Sequence, residues 1–263
     1  MEEIPTLTNV KFHSTSTYKI LNELGRGGMG MVYLAERNSE GVIDHVVLKT
    51  LKTIDKDQIE LLRREANIAT ILRHENIVKS YGMESIPLTH LPPTFREYLD
   101  KIKPHDVNKL QTKHLYQPKL APKTDVDEKV TKFEAKPTTR SLRDDEKLYC
   151  MAMDYVEGLD MGHLYRKHLR GNMLIPCIFV GFVMSRICRA LSYAHKYIVH
   201  RDISPENIMI NKHGVAKLMD FGISVVAGVQ KEFAGKLVYM SPEQISGQKI
   251  DKRSDIYSLG LVA

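Results

Sequence analysis

Three polar side chains in the second half of the chain have the types and spacing that phosphoryl transfer needs. Asn207 follows Asp202 by five residues, and Asp220 follows Asn207 by thirteen. Transfer of a phosphoryl group from a nucleotide requires a carboxylate beside the attacking hydroxyl and metal ligands across the phosphates. Asp202 could supply the carboxylate. Asn207 and Asp220 offer the hard oxygen ligands that suit Mg²⁺.

A glycine-rich segment near the N-terminus could bind the phosphates of that nucleotide. Gly25, Gly27 and Gly30 follow the pattern G-x-G-x-x-G, which lets backbone N–H groups approach phosphate oxygens closely. The same pattern opens a helix in dinucleotide-binding folds and also occurs in ordinary hairpins. Here strands predicted over residues 18–24 and 31–36 flank the glycines, which favours a loop between two strands.

A lysine and a glutamate farther along could hold the phosphates in register. Lys49 lies near the end of a strand predicted over 44–51, and Glu65 lies in a helix predicted over 55–74 from its apolar spacing. An ion pair between them would fix the position of the ammonium group. Taken singly, Glu65 could equally be a surface residue of its helix.

The order of these motifs resembles the protein kinase family, most closely the bacterial eukaryotic-like (Hanks-type) serine/threonine kinases. The matching segments are the glycine-rich loop, Lys49, H-R-D-x-x-x-x-N at 200–207 and D-F-G at 220–222. The resemblance covers residues 15–85 and 147–263. It implies an α+β, bilobal fold with a small β-rich lobe, a mainly helical large lobe, and ATP with Mg²⁺ in the cleft between them.

The resemblance also suggests how the chain is divided. Residues 1–14 would be an N-terminal extension, residues 15–153 the small lobe and residues 154–263 part of the large lobe. Within the small lobe, 87–146 holds seven of the eleven prolines and shows no sustained periodicity, so we expect a flexible insertion with a short helix near 95–102. Because the last residues resemble the start of the large lobe's central helix, we expect a C-terminally truncated kinase domain.

Further roles are implied by the resemblance alone. Asp202 would orient the substrate hydroxyl and accept its proton, and Met153 would be the gatekeeper. The hinge from Asp154 to Val156 would bond the adenine. For the apolar contacts with the base, core packing is a strong alternative; the residues implied are Val32, Val47 and Met209.

Two positions depart together from the family pattern. Ser204 stands where relatives carry a lysine that helps to neutralise the transferred phosphoryl group. Lys236 lies in a segment, 235–243, that resembles the substrate-binding loop, at a position where relatives usually carry threonine. We hypothesise a reciprocal exchange that keeps one hydroxyl and one ammonium group in the same place. The alternative is a degenerate site.

The composition indicates which partners and which cellular compartment to expect. Its 263 residues, 43% of them hydrophobic, carry a formal net charge of +6, which weakly favours anionic partners. No motif indicates nucleic-acid binding. Three cysteines without paired spacing are typical of free thiols in a reducing compartment. With neither a signal peptide nor a membrane segment in the sequence, we expect a cytoplasmic protein; an anchor after residue 263 remains open.

Three functions compete for this sequence. The first is ATP- and Mg²⁺-dependent phosphorylation of serine or threonine in protein substrates, as in bacterial signalling. The second is a pseudokinase that binds a nucleotide and acts as a scaffold, which Ser204 favours. The third is a small-molecule kinase of the same superfamily; the peptide platform implied at 235–243 argues against it. We favour the first, because Lys49, Asp202, Asn207 and Asp220 are all present.

Overall fold

The computed structural model describes residues 7–27, 30–50, 56–101, 147–221 and 237–263. Two units follow one another along the chain, the first rich in strands and the second mainly helical. Their order matches the small and large lobes that the resemblance implies.

The small lobe is built on one antiparallel sheet with the strand order β1-β2-β3-β4-β6-β5. Helix α1, Lys56–Ile71, connects β4 to β5. Just before β5 begins at Ser80, Ile77 forms an isolated parallel bridge to Leu218 of the other lobe. The six strands are β1 Lys11–His13, β2 Thr17–Gly27, β3 Gly30–Ser39, β4 Val42–Thr50, β5 Ser80–Pro87 and β6 Lys147–Asp154.

Two of the segments named from the sequence contribute to the core of the small lobe. From the segment 1–14, expected to be an extension, Leu7 and Phe12 are buried in this core and β1 pairs with β2. Within the segment 87–146, the short helix expected near 95–102 is α2, Pro93–Lys101, and Phe95 is buried in the same core. Residues 102–146 lie outside the described part of the chain.

In the described part of the large lobe, four helices accompany a small three-stranded sheet in the order β7-β8-β9. Its core gathers apolar side chains from α4, the sheet and the last helix, among them Ile187, Leu191, Ile208 and Leu218. The elements are β7 Gly158–Asp160, α3 Met161–Arg170, α4 Cys177–Ala194, β8 Ile208–Asn211, β9 Ala216–Leu218, α5 Pro242–Ile245 and α6 Lys252–Val262.

Helix α4 is long and apolar enough to cross a membrane, judged by length and composition only. Its inward face, including Val183, Ile187 and Ala190, is fully buried in the core of the large lobe. Its outer face carries the exposed side chains of Ile178 and Phe182.

The lobes meet at a third apolar cluster and at a short backbone junction. Val78 N–H donates to the carbonyl of Leu218, and Leu218 N–H donates to the carbonyl of Asn76. The cluster packs α1 and the central strands of the small lobe against the residue that precedes Asp220. Its members are Ala66, Val78, Met151 and Met153, with Val47, Met83, Tyr149, Val156 and Met219 partly buried against them.

Candidate active site

Asp202 and Asn207 are joined directly. The Asn207 side-chain N–H₂ group donates to the Asp202 carboxylate at 2.9 Å and to the Asp202 backbone carbonyl at 2.6 Å. Asn207 is held in turn by a short 3₁₀ turn, Pro205–Asn207, because its own N–H donates to the carbonyl of Ser204. The amide nitrogen therefore fixes Asp202, and the amide oxygen points away from that carboxylate.

Asp255 of α6 braces the backbone of this loop. Its carboxylate accepts the N–H groups of His200, at 2.8 Å, and Arg201, at 2.7 Å. The Nε2 of His195 lies 2.8 Å from the same carboxylate. Arg201 has a φ of 67°, a left-handed conformation that costs free energy for a residue with a side chain. Asp255 offsets that cost by satisfying two donors at the turn.

His200 holds the loop and cannot act as an acid or base in this arrangement. Its Nδ1 accepts the Asp202 N–H at 3.2 Å, and its Nε2 donates to the carbonyl of Met219 at 2.8 Å. Both nitrogens are thus engaged in the neutral tautomer. The ring also contacts Phe221 edge-on, with 4.6 Å between centroids. His200 connects the loop of Asp202 to the segment that carries Asp220.

Lys49 and Asp220 bring the two lobes together. The Lys49 ammonium group lies 2.7 Å from the Asp220 carboxylate, and both side chains are largely shielded from solvent. Asp220 has a φ of 62°, which turns the chain sharply at this point. Glu65 lies in α1, but its side chain is outside the described part of the chain, so the Lys49–Glu65 pair stays a prediction.

The glycine-rich segment lies at the end of the β2–β3 ribbon. Gly25 pairs with Val32, and Gly27 pairs with Gly30; residues 28 and 29 are outside the described range. A Cβ atom added to Gly25 would meet no heavy atom within 4 Å. Protein packing therefore does not require glycine here, and the open space fits a group that approaches the backbone closely.

The connection from β6 to β7 links the two lobes, and the predicted gatekeeper and hinge lie at its start. Met153 is buried in the third cluster together with Val47 and Val156. Asp154 N–H donates to the carbonyl of Lys79. Met209 lies in β8, opposite Asp160, and is not a member of that cluster as far as the described residues go.

Comparisons with known proteins agree with this geometry. A model described as the protein kinase domain matches residues 136–263, and one of protein tyrosine and serine/threonine kinases matches 18–93. The chain belongs to the protein kinase family. Its α+β, bilobal fold is confirmed by crystal structures of the Mycobacterium tuberculosis PknI kinase domain. One of them is 22% identical, has a TM-score of 0.60, and covers 98% of this chain and 74% of that one.

Two curated relatives show how far the similarity extends. The serine/threonine-protein kinase PrkC of Bacillus subtilis is 29% identical over 255 residues, which are 93% of this chain and 29% of the relative. The MAP kinase kinase MKK1/SSP32 of Saccharomyces cerevisiae is 38% identical over 121 residues, which are 45% of this chain and 24% of the relative. The kinase chain thus spans less than a third of the length of either relative.

The donor set of the kinase fits a hard divalent cation. The amide oxygen of Asn207 and the carboxylate of Asp220 are the oxygen ligands that Mg²⁺ takes when phosphates complete its shell. The described residues contain no group of three or more His, Cys, Asp or Glu side chains that could hold a metal alone. A metal held by Asn207 and Asp220 would therefore depend on the nucleotide for its other ligands.

Ser204 is fully buried in the loop at 200–207, called here the catalytic loop. Its hydroxyl has no hydrogen-bond partner among the described residues. A buried hydroxyl without a partner is costly, so a polar group is expected beside it. Lys236, the predicted partner, lies outside the described residues; the structure resumes at Leu237. Farther along this segment, the Gln244 side chain donates to the Arg201 carbonyl at 2.8 Å, so the segment after Lys236 contacts the loop that holds Ser204.

Sequence reasoning missed two features around this site. The first is α3, which packs on the catalytic loop so closely that a Cβ on Gly162 would come within 2.7 Å of the Glu206 carboxylate. Its start carried a signal, since Asp160 caps the helix by accepting the His163 N–H. The second is the side chain of Tyr81, which contacts the hinge at Asp154. No local sequence pattern predicts that contact.

Proposed function

We propose that this kinase transfers the γ-phosphoryl group of ATP, with Mg²⁺, to serine or threonine hydroxyls of protein substrates. The observation that carries the proposal is the joint placement of Asp202, Asn207, Asp220 and Lys49. Each carries a group that phosphoryl transfer uses, and the Lys49–Asp220 contact connects the lobes across the cleft. A bacterial signalling role and a cytoplasmic location for this part of the protein are included in the proposal.

Each of these residues would have its own role in the reaction. Asp202, oriented by Asn207, would accept a hydrogen bond from the substrate hydroxyl and take its proton as the oxygen attacks the phosphorus. Lys49 would bind phosphate oxygens of ATP, which requires its ammonium group to share its contact with Asp220. Asn207 and Asp220 would hold Mg²⁺, which when bound neutralises charge on the phosphates.

A protein acceptor is supported by the segment after Lys236. Its capping box at Ser241 and Gln244 starts helix α5, and the Gln244 side chain donates to the carbonyl of Arg201 at 2.8 Å. The segment is thereby fixed to the catalytic loop, beside the position where the hydroxyl must lie. Because it resembles the platform that binds peptides in the family, a polypeptide substrate fits better than a metabolite.

The exchange between Ser204 and Lys236 forms part of the proposal. Lys236 would place its ammonium group near the Ser204 hydroxyl and the transferred phosphoryl group. We expect Lys236→Thr to lower kcat roughly 100-fold, and Ser204→Lys in that background to restore much of it. Independent, additive losses in this double-mutant cycle would show that the two positions are not coupled.

The test of the proposal is transfer of label from γ-labelled ATP, with a protein and peptide panel in parallel with a metabolite panel. We expect label on serine or threonine of proteins, dependence on Mg²⁺, and loss of transfer in Asp220→Asn. Label on a metabolite alone would reject the protein-kinase assignment. Nucleotide binding without any transfer would indicate the scaffold function instead.

A further inference from the structure

The outer side of the hinge carries a polar cluster that the reaction does not use. We propose that this cluster, formed by Arg37, Asp44, Tyr81 and Asp154 and called here the hinge brace, positions the hinge and so sets the affinity and selectivity for the adenine base. The inference rests on the proposed ATP site. It makes Tyr81 a positioning residue that acts through Asp154.

The central contact of the hinge brace is a hydrogen bond. The Tyr81 hydroxyl of β5 donates to the Asp154 carboxylate at 2.6 Å. Burial, and then this hydrogen bond, raise the pKa of Tyr81 above its ordinary value, so the hydroxyl stays protonated and remains a donor at neutral pH. Hydrogen bonds to an ionised acceptor are among the stronger ones in proteins.

Two cationic side chains lie over the ring of Tyr81, one from β3 and one just before β5. The Arg37 guanidinium carbon lies 3.4 Å from the ring centroid, and the Lys79 ammonium nitrogen lies 4.6 Å from it. Arg37 is itself fixed by a two-pronged contact with Asp44, at 3.0 and 2.5 Å. The β3–β4 hairpin is therefore connected through Tyr81 to the last residue of β6.

The hinge brace can affect nucleotide binding because Asp154 lies where the two lobes are linked. Asp154 ends β6, and the chain from there to β7 is the link between the lobes. Two backbone bonds continue the attachment: Asp154 N–H donates to the Lys79 carbonyl, and Tyr155 N–H donates to the His45 carbonyl at 3.4 Å. Val156, the next hinge residue, makes no backbone–backbone hydrogen bond within the described residues. Its backbone is thus available to a base.

Adenine and guanine present opposite donor and acceptor patterns along the edge that a backbone would read. A hinge held in one position forms hydrogen bonds with the base whose donors and acceptors match its backbone. With the other base it leaves hydrogen-bonding groups unpaired. Loosening the hinge should therefore weaken ATP binding and reduce the preference for ATP over GTP. It should leave the chemical step at Asp202 almost unchanged, since the catalytic loop is braced separately by Asp255.

The small lobe provides a matched control. Tyr18 also donates to a carboxylate, that of Glu84, at 2.8 Å, and it is more deeply buried than Tyr81. Tyr18 pairs with Arg37 in the sheet, but its acceptor Glu84 lies opposite Cys150 of β6 and not at Asp154. Tyr18→Phe therefore removes an equivalent hydrogen bond without removing a donor to Asp154, and we expect no effect on base selectivity.

The experiment compares Tyr81→Phe with Tyr18→Phe in KM for ATP, kcat, the ratio of kcat/KM for ATP over GTP, and Tm. We expect Tyr81→Phe to raise the KM for ATP and lower the ATP/GTP ratio, each by roughly 3- to 10-fold, as losing one hydrogen bond of about 1 kcal/mol implies. Asp154→Ala should match it, the double variant should add little, and Asp154→Asn, which keeps an acceptor, should lie nearer the wild type.

An unchanged KM and ATP/GTP ratio in Tyr81→Phe, with a drop in Tm like that of Tyr18→Phe, would overturn the inference and leave a structural role only. Equilibrium binding of ATP and GTP to the same variants separates this result from failure of the proposed function. A wild type that binds ATP but transfers nothing contradicts the proposed function, while the binding ratio still decides the hinge brace. A wild type that binds neither nucleotide contradicts both.

Discussion

Two buried carboxylates, one in each lobe, both accept hydrogen bonds from nearby donors, but they hold different parts of the molecule in place. Asp255, 1% exposed, accepts the N–H groups of His200 and Arg201. Glu84, also 1% exposed, accepts from the N–H and hydroxyl of Thr15 and from the hydroxyl of Tyr18. Among the described residues, neither carboxylate forms an ion pair with a lysine or arginine. The hydrogen-bond donors, together with the His195 ring 2.8 Å from Asp255, offset the cost of burying the two carboxylates.

The difference lies in what each carboxylate holds. Asp255 fixes the turn that carries Asp202, whereas Glu84 ties the N-terminal segment, through Thr15, to β5. Burial, and then the charge of Glu84, also raise the pKa of Cys150 on the neighbouring strand, which keeps that thiol protonated. A buried charge is therefore no indication of catalysis by itself. Its donors decide whether losing it changes a rate or only the stability.

The largest effect is expected from Asp255. Asp255→Ala would leave two buried N–H groups without an acceptor, so we expect the free energy of unfolding to fall by about 3–5 kcal/mol. The displaced Asp202 should lower kcat roughly 100-fold. Denaturant unfolding and steady-state kinetics measure the two effects. If Asp255→Ala does not fold, Asp255→Asn, which keeps one acceptor oxygen, should show a smaller loss of both. Normal kcat in a destabilised variant would contradict the bracing role.

Glu84 should give an intermediate effect confined to stability. Glu84→Gln would turn an N–H₂ group toward the donors of Thr15, and we expect a loss of about 1–3 kcal/mol in the free energy of unfolding. The kcat of the folded protein should stay within twofold of the wild type. A large fall in kcat, with the free energy of unfolding unchanged, would contradict the difference in role between Glu84 and Asp255.

The smallest effect is expected from an exposed carboxylate on the helix that carries Asp255. Asp251 caps α6 by accepting the Arg253 N–H, and hydrogen bonds from the Arg253 side chain and backbone lower the pKa of Asp251 to about 2. Because this pKa is depressed, the charged carboxylate adds stability at neutral pH that is lost between about pH 4 and pH 2. Asp251→Ala should lower Tm slightly at pH 7.

The pH dependence of that change in Tm is the check. The difference in Tm between wild type and Asp251→Ala should shrink as the pH falls below about 4. Asp251→Asn caps the helix without titrating in this range, so its Tm relative to Asp251→Ala should stay constant. A Tm difference between wild type and Asp251→Ala that is independent of pH would show that the charge contributes nothing.

The chemistry of the site could be predicted because its parts lie close in sequence and have few other uses. Asp202 and Asn207 share one loop, and Asp220 begins a three-residue motif. Contacts across long separations could not be predicted. The contact between Lys49 and Asp220, which are 171 residues apart, was not predicted. The pair of Lys49 with Glu65 stays a prediction, since the Glu65 side chain lies outside the described residues.

Polar residues at inward positions weaken the strand pattern of β5. Along β5, every second residue is buried, but those positions are Ser80, Gly82, Glu84 and Ile86. Only one of the four is a large apolar residue, so the alternation that marks a strand is weak. The contact of Tyr81 with Asp154 could not be predicted for another reason, since the two residues are 73 apart in the sequence.

The most direct measurement is a single-turnover assay of phosphoryl transfer in wild type and Asp202→Ala, with ATP binding determined on the same samples. Because Asp202 acts on the hydroxyl and not on the nucleotide, the account predicts a loss of transfer of at least roughly 100-fold, with the Kd for ATP within a few-fold of the wild type. Transfer that survives in Asp202→Ala, or transfer and ATP binding lost in equal measure, would contradict it.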